Sequence, residues 1–264
     1  MNRRRKQKTA ALVLFSGGLD SILAVKILRA QDIDATPVCF ESYFFSADKA
    51  QSAAAASGLD LRVEDISKSH LSIVKNPRHG RGAAMNPCID CHLLMIKIAG
   101  GIMAREGFDF IATGEVLGQR PMSQHRQSLA IIDRQSGLAG KILRPLSAKL
   151  LAPTEAEING LVDRDGLYDL SGRSRRGQLA LAKKFGIKNI PQPGGGCILT
   201  DAEYARRLEE LMRRQPDFDG DDARLLRYGR AVWQKDLLAV IARNQAECQN
   251  LKIMARAGDW LFEP

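Results

Sequence analysis

Cysteine is scarce: five in 264 residues. So low and odd a count speaks against a disulfide framework and favours a reducing compartment, the cytoplasm, with thiols kept for metal or covalent chemistry. Long apolar runs are missing as well. The stretch Ala10 to Phe15 falls far short of the roughly 18–20 residues of a membrane span, so no membrane partner is expected. Aromatic residues make up only 6%, yet apolar residues reach 45% and charged residues 26%, a balance that rules out wholesale disorder. Acid is in deficit, with 30 Asp and Glu against 39 Lys and Arg, and the basic surplus favours a polyanionic partner. Nor is a signal sequence indicated. Met1-Asn2-Arg3-Arg4-Arg5-Lys6-Gln7-Lys8 precedes a short apolar run that ends in a Ser-Gly-Gly turn, the pattern of a basic arm before a strand.

What is present is an alternation of strand and helix. Ala10 to Phe15 reads as a buried strand and Ile22 to Leu28 as a helix with a broad apolar face. Val38-Cys39-Phe40, Leu59 to Ile66 and Phe108 to Thr113 read as further strands, with helices over Ala47 to Ala56 and Leu93 to Arg105. This order predicts an α/β fold with a doubly wound parallel sheet and ligands off the carboxyl ends of its strands. Farther on, Pro153 to Val162 and Arg176 to Phe185 read as helices, Pro191 to Gly196 as a loop, and Gly258 to Phe262 as a candidate strand. Bases without acids fill 171–200, and acids crowd 201–222. The expected division is a basic arm over 1–9, a main domain over 10–200 and a small α+β appendage over 201–264.

Two places carry chemistry. Ser16-Gly17-Gly18-Leu19-Asp20-Ser21 stands between the first strand and the first helix, where backbone N–H groups and the positive helix end can cradle an anion. No Gly-Lys-Ser/Thr follows, so it is not the Walker pattern, and it is not Gly-x-Gly-x-x-Gly. The plain alternative is a tight turn in which Asp20 and Ser21 merely start the helix. Asn86-Pro87-Cys88-Ile89-Asp90-Cys91-His92 opens a helix and puts Cys88 and Cys91 on one face near its positive end, where a thiolate is favoured. Cys197 follows a run of glycines, and only the fold could bring it to that pair. Cys-x-x-Cys serves zinc, iron–sulfur and redox sites alike. Cys39 and Cys248 read as buried or incidental, and His70 and His125 have no distinctive spacing.

Ser-Gly-Gly-x-Asp-Ser resembles the PP-loop of the ATP pyrophosphatases, which have an adenine nucleotide alpha hydrolase-like fold. The resemblance implies that Ser16, Gly17, Gly18 and Ser21 bind ATP phosphates and that Asp20 helps hold Mg2+. It also places Phe40, at the end of the second strand, where such a fold seats adenine, with plain packing as the alternative role. With the cysteines included, the chain resembles the tRNA thiolation enzymes: Cys91 fills the nucleophile position of the 2-thiouridylases and Cys197 that of their second cysteine. Cys88 replaces the aspartate many of them carry. Three cysteines resemble the cluster-dependent branch, which implies a [4Fe–4S] cluster on Cys88, Cys91 and Cys197 with one iron open for hydrosulfide. A persulfide relayed between two cysteines, and a zinc completed by His92 or His79, stay open beside it.

Ala112 to Gln124 contains Gly114-Glu115, Gly118-Gln119 and Ser123-Gln124 and resembles the Gly-Glu-x-x-Gly-Gln-x-x-Ser-Gln stretch of the 4-thiouridine synthetases. By that likeness Gly114 and Gln119 border the nucleotide and a helix starts at Ser123. Neither an N-terminal RNA-binding extension nor a rhodanese module is recognised, so tRNA contacts are expected from the basic arm, Lys75 to Arg81, Arg173 to Arg176 and the tail. The implied activity is ATP-dependent tRNA thiolation: a uridine carbonyl oxygen is adenylated, then replaced by sulfur from a sulfide or persulfide carrier while Pro191 to Cys197 closes as a lid. A small-molecule ligase with a structural zinc and a non-catalytic, nucleotide-sensing RNA-binding protein are the alternatives, and the sequence does not decide between monomer and homodimer.

Overall fold

A computed structural model describes residues 8–192 and 197–262. In chain order the elements are β1 (Ala10–Leu14), α1 (Leu19–Arg29), β2 (Asp34–Glu41), α2 (Asp48–Ala56), β3 (Arg62–Asp65), α3 (Ser67–Lys75) and α4 (Cys88–Glu106). There follow β4 (Phe110–Thr113), α5 (Arg126–Ser136), β5 (Ile142–Leu143), α6 (Glu155–Ile158) and α7 (Arg176–Lys184). The last stretch holds α8 (Ala202–Arg214), α9 (Gly220–Leu225), β6 (Arg230–Gln234), β7 (Leu237–Ile241) and α10 (Gln245–Met254). The chain divides into two compact bodies: Met1–Glu41 with Ser46–Asp65 and Cys88–Gly195, and Ser42–Phe45 with Ile66–Pro87 and Gly196–Pro264.

The first body is the expected α/β sheet. Five strands lie in the order β3-β2-β1-β4-β5, and every pairing is parallel. In the central strand β1, Ala11, Leu12 and Val13 are fully buried, as a strand covered on both faces requires. Helix α1 turns Leu19, Ile22, Leu23, Ile27 and Leu28 into the same core, α7 packs on α1, and α5 packs on α4. The strand order reverses between β1 and β4. At such a switch point the chain leaves two neighbouring strands in opposite directions, and a crevice opens off their carboxyl ends.

The second body is built on α8. Tyr204, Leu208 and Leu211 recur at helical spacing along one face and pack with Phe44, Val74, Met85, Leu199, Phe218 and Leu226. Asp201 caps α8 by accepting from Tyr204 N at 2.8 Å, Asp219 caps α9, and Glu210 pairs with Arg213 and Arg214. Acids between 201 and 222 thus start helices and pair locally. Residues 201–262 belong to this body, which also takes in Ser42–Phe45 and Ile66–Pro87 because Phe44, Val74 and Met85 share its core. Strands β6 and β7 form an antiparallel hairpin. Gly258 to Phe262 forms no strand: Trp260 and Phe262 are each 84% exposed and stack on one another rather than pairing with a sheet edge. No helix among the described residues is long and apolar enough to cross a membrane.

Candidate functional site

The crevice between β1 and β4 is assembled by two glycines. Gly17 adopts φ +69°, and a Cβ there would stand 2.5 Å from the Lys49 carbonyl oxygen, so only glycine lets the loop run against the start of α2. A Cβ on Gly114 would stand 2.6 Å from both the Asp20 carbonyl carbon and the Ser21 nitrogen, which fixes the end of β4 directly against the loop after β1. Gly114 therefore shapes the loop as well as bordering it.

Inside the loop, Gly18 N donates to Ser16 Oγ at 3.4 Å and Ser21 Oγ donates to the Gly18 carbonyl at 2.9 Å. No side chain caps α1, whose N-cap is Gly18. Its first-turn N–H groups, with the positive end of the helix dipole, are of the kind that can receive an anion. Ser16 is exposed at the mouth, and Ser21 is buried.

Asp20 is the charged group of this loop. Gln119 Nε2 donates to its Oδ2 at 2.9 Å, and Gln178 Nε2 donates to Gln119 Oε1 at 3.4 Å. The other carboxylate oxygen, Oδ1, is buried and has no hydrogen-bond partner among the described residues. Burial pushes the Asp20 carboxyl above its ordinary value, opposed by the Gln119 amide and by the charges of Arg175 and Arg120. A buried carboxylate with one oxygen unpaired is costly as it stands and suits a divalent cation.

A second carboxylate, Glu115, lies one residue past Gly114 and is fully paired. Its Oε2 accepts from Arg144 Nε at 2.9 Å and Thr113 Oγ1 at 3.1 Å, and its Oε1 lies 3.0 Å from His92 Nδ1. Arg144 also grips Asp133 with both terminal nitrogens, at 3.0 and 2.7 Å. Burial alone would raise the Glu115 carboxyl, but Arg144 and His92 hold it well below the usual carboxylate range. His92 is thus tied to Glu115. Ser123 and Gln124 are buried, and Ser123 Oγ and Gln124 Oε1 have no partner among the described residues. The helix after them starts at Arg126, not at Ser123, because residues 121–124 are taken up in a turn closed by Gly118 N to the Gln124 carbonyl.

All five cysteines are thiols. Cys88 and Cys91 stand one turn apart at the start of α4, as the spacing predicts. The expectation of an easily ionised thiol there is corrected at Cys88: burial pushes it up, and Arg120 offsets this only in part. Cys39 is buried and pushed up to about 11 by burial first, then by Glu41; Cys248 is exposed on α10. Cys197 belongs to the second body, where its carbonyl accepts from Thr200 N and Oγ1. Among the described residues no three His, Cys, Asp or Glu side chains form a metal-binding group. Phe40 is buried within β2. Residues 193–196 of the expected lid and residues 1–7 of the basic arm lie outside the described residues. In the second body Lys75 donates to the Pro216 and Phe218 carbonyls, and Arg81 to those of Val74 and Lys75.

Sequence reasoning missed Gln178 and Arg144. Gln178 sits in an apolar helix face without a local motif, and its only signal is that a polar residue is buried there. Arg144 follows the short strand β5 and offered none.

The family model described as thiamine biosynthesis protein (ThiI) matches residues 6–184. Curated relatives with the name "Probable tRNA sulfurtransferase" include one from Moorella thermoacetica, 30% identical over 61% of this chain and 41% of its own length. Another, from Methanosarcina mazei, is 28% identical over 67% of this chain and 44% of its own. The chain therefore spans about two fifths of the length of these relatives. Among solved structures, a 4-thiouridine synthetase–RNA complex with bound ATP aligns over 82% of this chain and 52% of its own, at 20% identity and TM-score 0.48. A predicted tRNA methyltransferase subunit from Methanocaldococcus jannaschii aligns over 51% of this chain and 68% of its own, at 15% identity and TM-score 0.39. The family match takes in the loop after β1, the cysteine pair and the Gly114–Gln124 stretch, and the chain belongs to the family described as thiamine biosynthesis protein (ThiI).

Proposed function

We propose that the protein is an ATP-dependent tRNA sulfurtransferase that replaces a uridine carbonyl oxygen with sulfur. The observation that carries the ATP half is the buried Oδ1 of Asp20, without a partner among the described residues, beside an uncapped helix start at the switch point. The thiolation half rests on family membership, on the relatives' name and on the cysteines.

The N–H groups of the Ser16–Ser21 loop and the Ser16 and Ser21 hydroxyls hold the phosphates, Gly17 and Gly18 letting the backbone approach; Phe40, Gly114 and Gln119 flank the nucleotide. Asp20 fits Mg2+ through Oδ1, and the cation, when bound, neutralises phosphate charge. A uridine oxygen attacks the α-phosphorus and pyrophosphate leaves, with loop amides stabilising the developing charge. A urea-like carbonyl is a poor electrophile, so this activation is the step that needs ATP. Sulfur then attacks the ring carbon and AMP departs, a redox-neutral exchange when the donor is hydrosulfide.

Sulfur delivery is assigned to Cys91 and Cys197, with Cys88 completing the candidate ligands of a [4Fe–4S] cluster. Cys88 and Cys91 offer two soft donors one turn apart in the first body, while Cys197 is in the second. The iron and zinc content of anaerobically purified protein decides between cluster, zinc and bare thiols. The deciding experiment for function is incubation with ATP, Mg2+, sulfide or a persulfide carrier and unmodified tRNA, followed by mass spectrometry of nucleosides. A thiouridine with stoichiometric pyrophosphate is expected; pyrophosphate release that yields no thionucleoside would overturn the proposal.

A further inference from the structure

Gln178 stands on α7 and is only 1% exposed, on a helix face that otherwise buries Leu181 and Ala182. Burying a carboxamide in such a face costs free energy unless its polar atoms are used. Its donor end is used: Nε2 donates to Gln119 Oε1 at 3.4 Å, and Gln119 Nε2 donates in turn to Asp20 Oδ2 at 2.9 Å. A glutamine side chain has one accepting and one donating end. Because Gln119 accepts from Gln178 at Oε1, its NH2 end must face Asp20. One carboxylate oxygen is then satisfied by a neutral donor and the other, Oδ1, is left buried and without a partner among the described residues. With Gln119 reversed, its Oε1 would face a carboxylate oxygen, and Asp20 would be pushed off its present geometry.

Resting on the ATP-binding reading above, we propose that Gln178 is a positioning residue for the divalent cation: acting through Gln119, it keeps that amide donor-first toward Asp20 and reserves Oδ1 for the metal of the ATP complex. A further observation agrees: helix α7, which carries Gln178, packs on α1, the helix that carries Asp20.

The test titrates Mn2+ by electron paramagnetic resonance into the full chain with ATP present, for wild type, Gln178→Leu, Gln178→Glu and the exposed neighbour variant Leu179→Ala. Gln178→Leu is expected to weaken Mn2+ about tenfold, the effect of losing an outer hydrogen bond to a metal ligand, while ATP affinity in EDTA stays within twofold. Gln178→Glu, which accepts only and draws the Gln119 NH2 group to itself, is expected to weaken Mn2+ further; Leu179→Ala should match wild type. In turnover, the Mg2+ needed for half-maximal pyrophosphate release should rise about tenfold in Gln178→Leu, with kcat at saturating Mg2+ little changed. Equal Mn2+ affinity in wild type and Gln178→Leu overturns the inference. So does an equal loss of ATP binding with and without metal, the mark of a merely structural role. If Gln178→Leu fails to fold, Gln178→Met makes the same comparison. Wild type that binds no ATP at all would instead sink the underlying ATP-binding reading, and the inference with it.

Discussion

Alanine at position 114 is the sharpest probe of a site built where β1 meets β4. A Cβ on Gly114 would stand 2.6 Å from Asp20 C, 2.6 Å from Ser21 N and 2.8 Å from Asp20 O, where ordinary contact begins at 3.4 Å. All three are backbone atoms, so no rotamer change relieves the clash, and loop and strand must part by about 0.8 Å. Overpacking of this kind costs about 1–3 kcal/mol. For a chain of this size that lowers the melting temperature by about 2–4 °C per kcal/mol. Function is more sensitive, because misplacing a positioned group by about 1 Å can cost about 10²-fold. ATP affinity in Gly114→Ala, measured by calorimetry, is expected to fall at least tenfold, with pyrophosphate release falling alongside. Gly101→Ala is the matched control. Position 101 lies within helix α4 and a Cβ there meets nothing within 4 Å, so alanine should be neutral or stabilise by up to about 1 kcal/mol. If Gly114→Ala melts and binds ATP as wild type does, the close approach of β4 to the loop does not shape the site and the reasoning fails.

The remaining predictions address charge, burial and sulfur. His70 is buried with Nδ1 at 3.0 Å from Ser42 Oγ, and burial holds its imidazole down to about 4 from an ordinary 6.5. The unfolded chain therefore takes up the proton first: stability is full above pH about 6.5 and lost as pH falls toward 4, by up to about 3 kcal/mol. Urea melts at pH 7 and 4.5 should show this loss in wild type and a smaller one in His70→Phe; equal losses refute it. Arg144→Met leaves Glu115 and Asp133 without their shared cation and should cost about 3–5 kcal/mol in urea unfolding. Arg144→Lys should rescue little, because an ammonium cannot serve both carboxylates as the guanidinium does. Asp20→Asn should abolish tRNA-dependent pyrophosphate release, whereas Cys197→Ser should retain it and stop sulfur incorporation; equal loss of pyrophosphate release in both would defeat the assigned division of labour.

Much of the fold was legible because its central strands are covered on both faces. Ala11, Leu12 and Val13 in β1, and Phe110, Ile111 and Ala112 in β4, form short apolar runs bounded by turn residues, the pattern a parallel strand leaves in a sequence. Helix α3 escaped notice because only His70 and Val74 are buried along it, too few to mark a period. Strand β5 pairs over two residues and left no run to read. Membership of the second body was illegible for another reason: Phe44, Val74 and Met85 join a core built mainly from residues beyond 196, and nothing local to them announces so distant a partner. The loop residues and the cysteine pair were found through their spacing. Gln178, which acts through one intermediary from another helix, has no spacing to find.

The two acidic residues at the switch point show what coordinates add to a motif. Asp20 and Glu115 follow adjacent parallel strands, each beside a glycine-bearing turn, and in the sequence each is simply an acid in a short polar stretch. Their surroundings separate them. Glu115 has an oxygen on Arg144 and Thr113 and the other on His92, and its carboxyl is held down. A carboxylate so fully engaged braces the end of β4 and has nothing left for a ligand. Asp20 has one oxygen on a neutral amide and the other, among the described residues, on nothing, and its carboxyl is pushed up. Keeping a buried charge half-satisfied costs stability, and that cost is removed when a cation arrives at Oδ1. Removing Glu115 should therefore be felt first in unfolding, and removing Asp20 first in metal-dependent ATP binding. Swapped outcomes would mean that the roles of the two acids have been read the wrong way round.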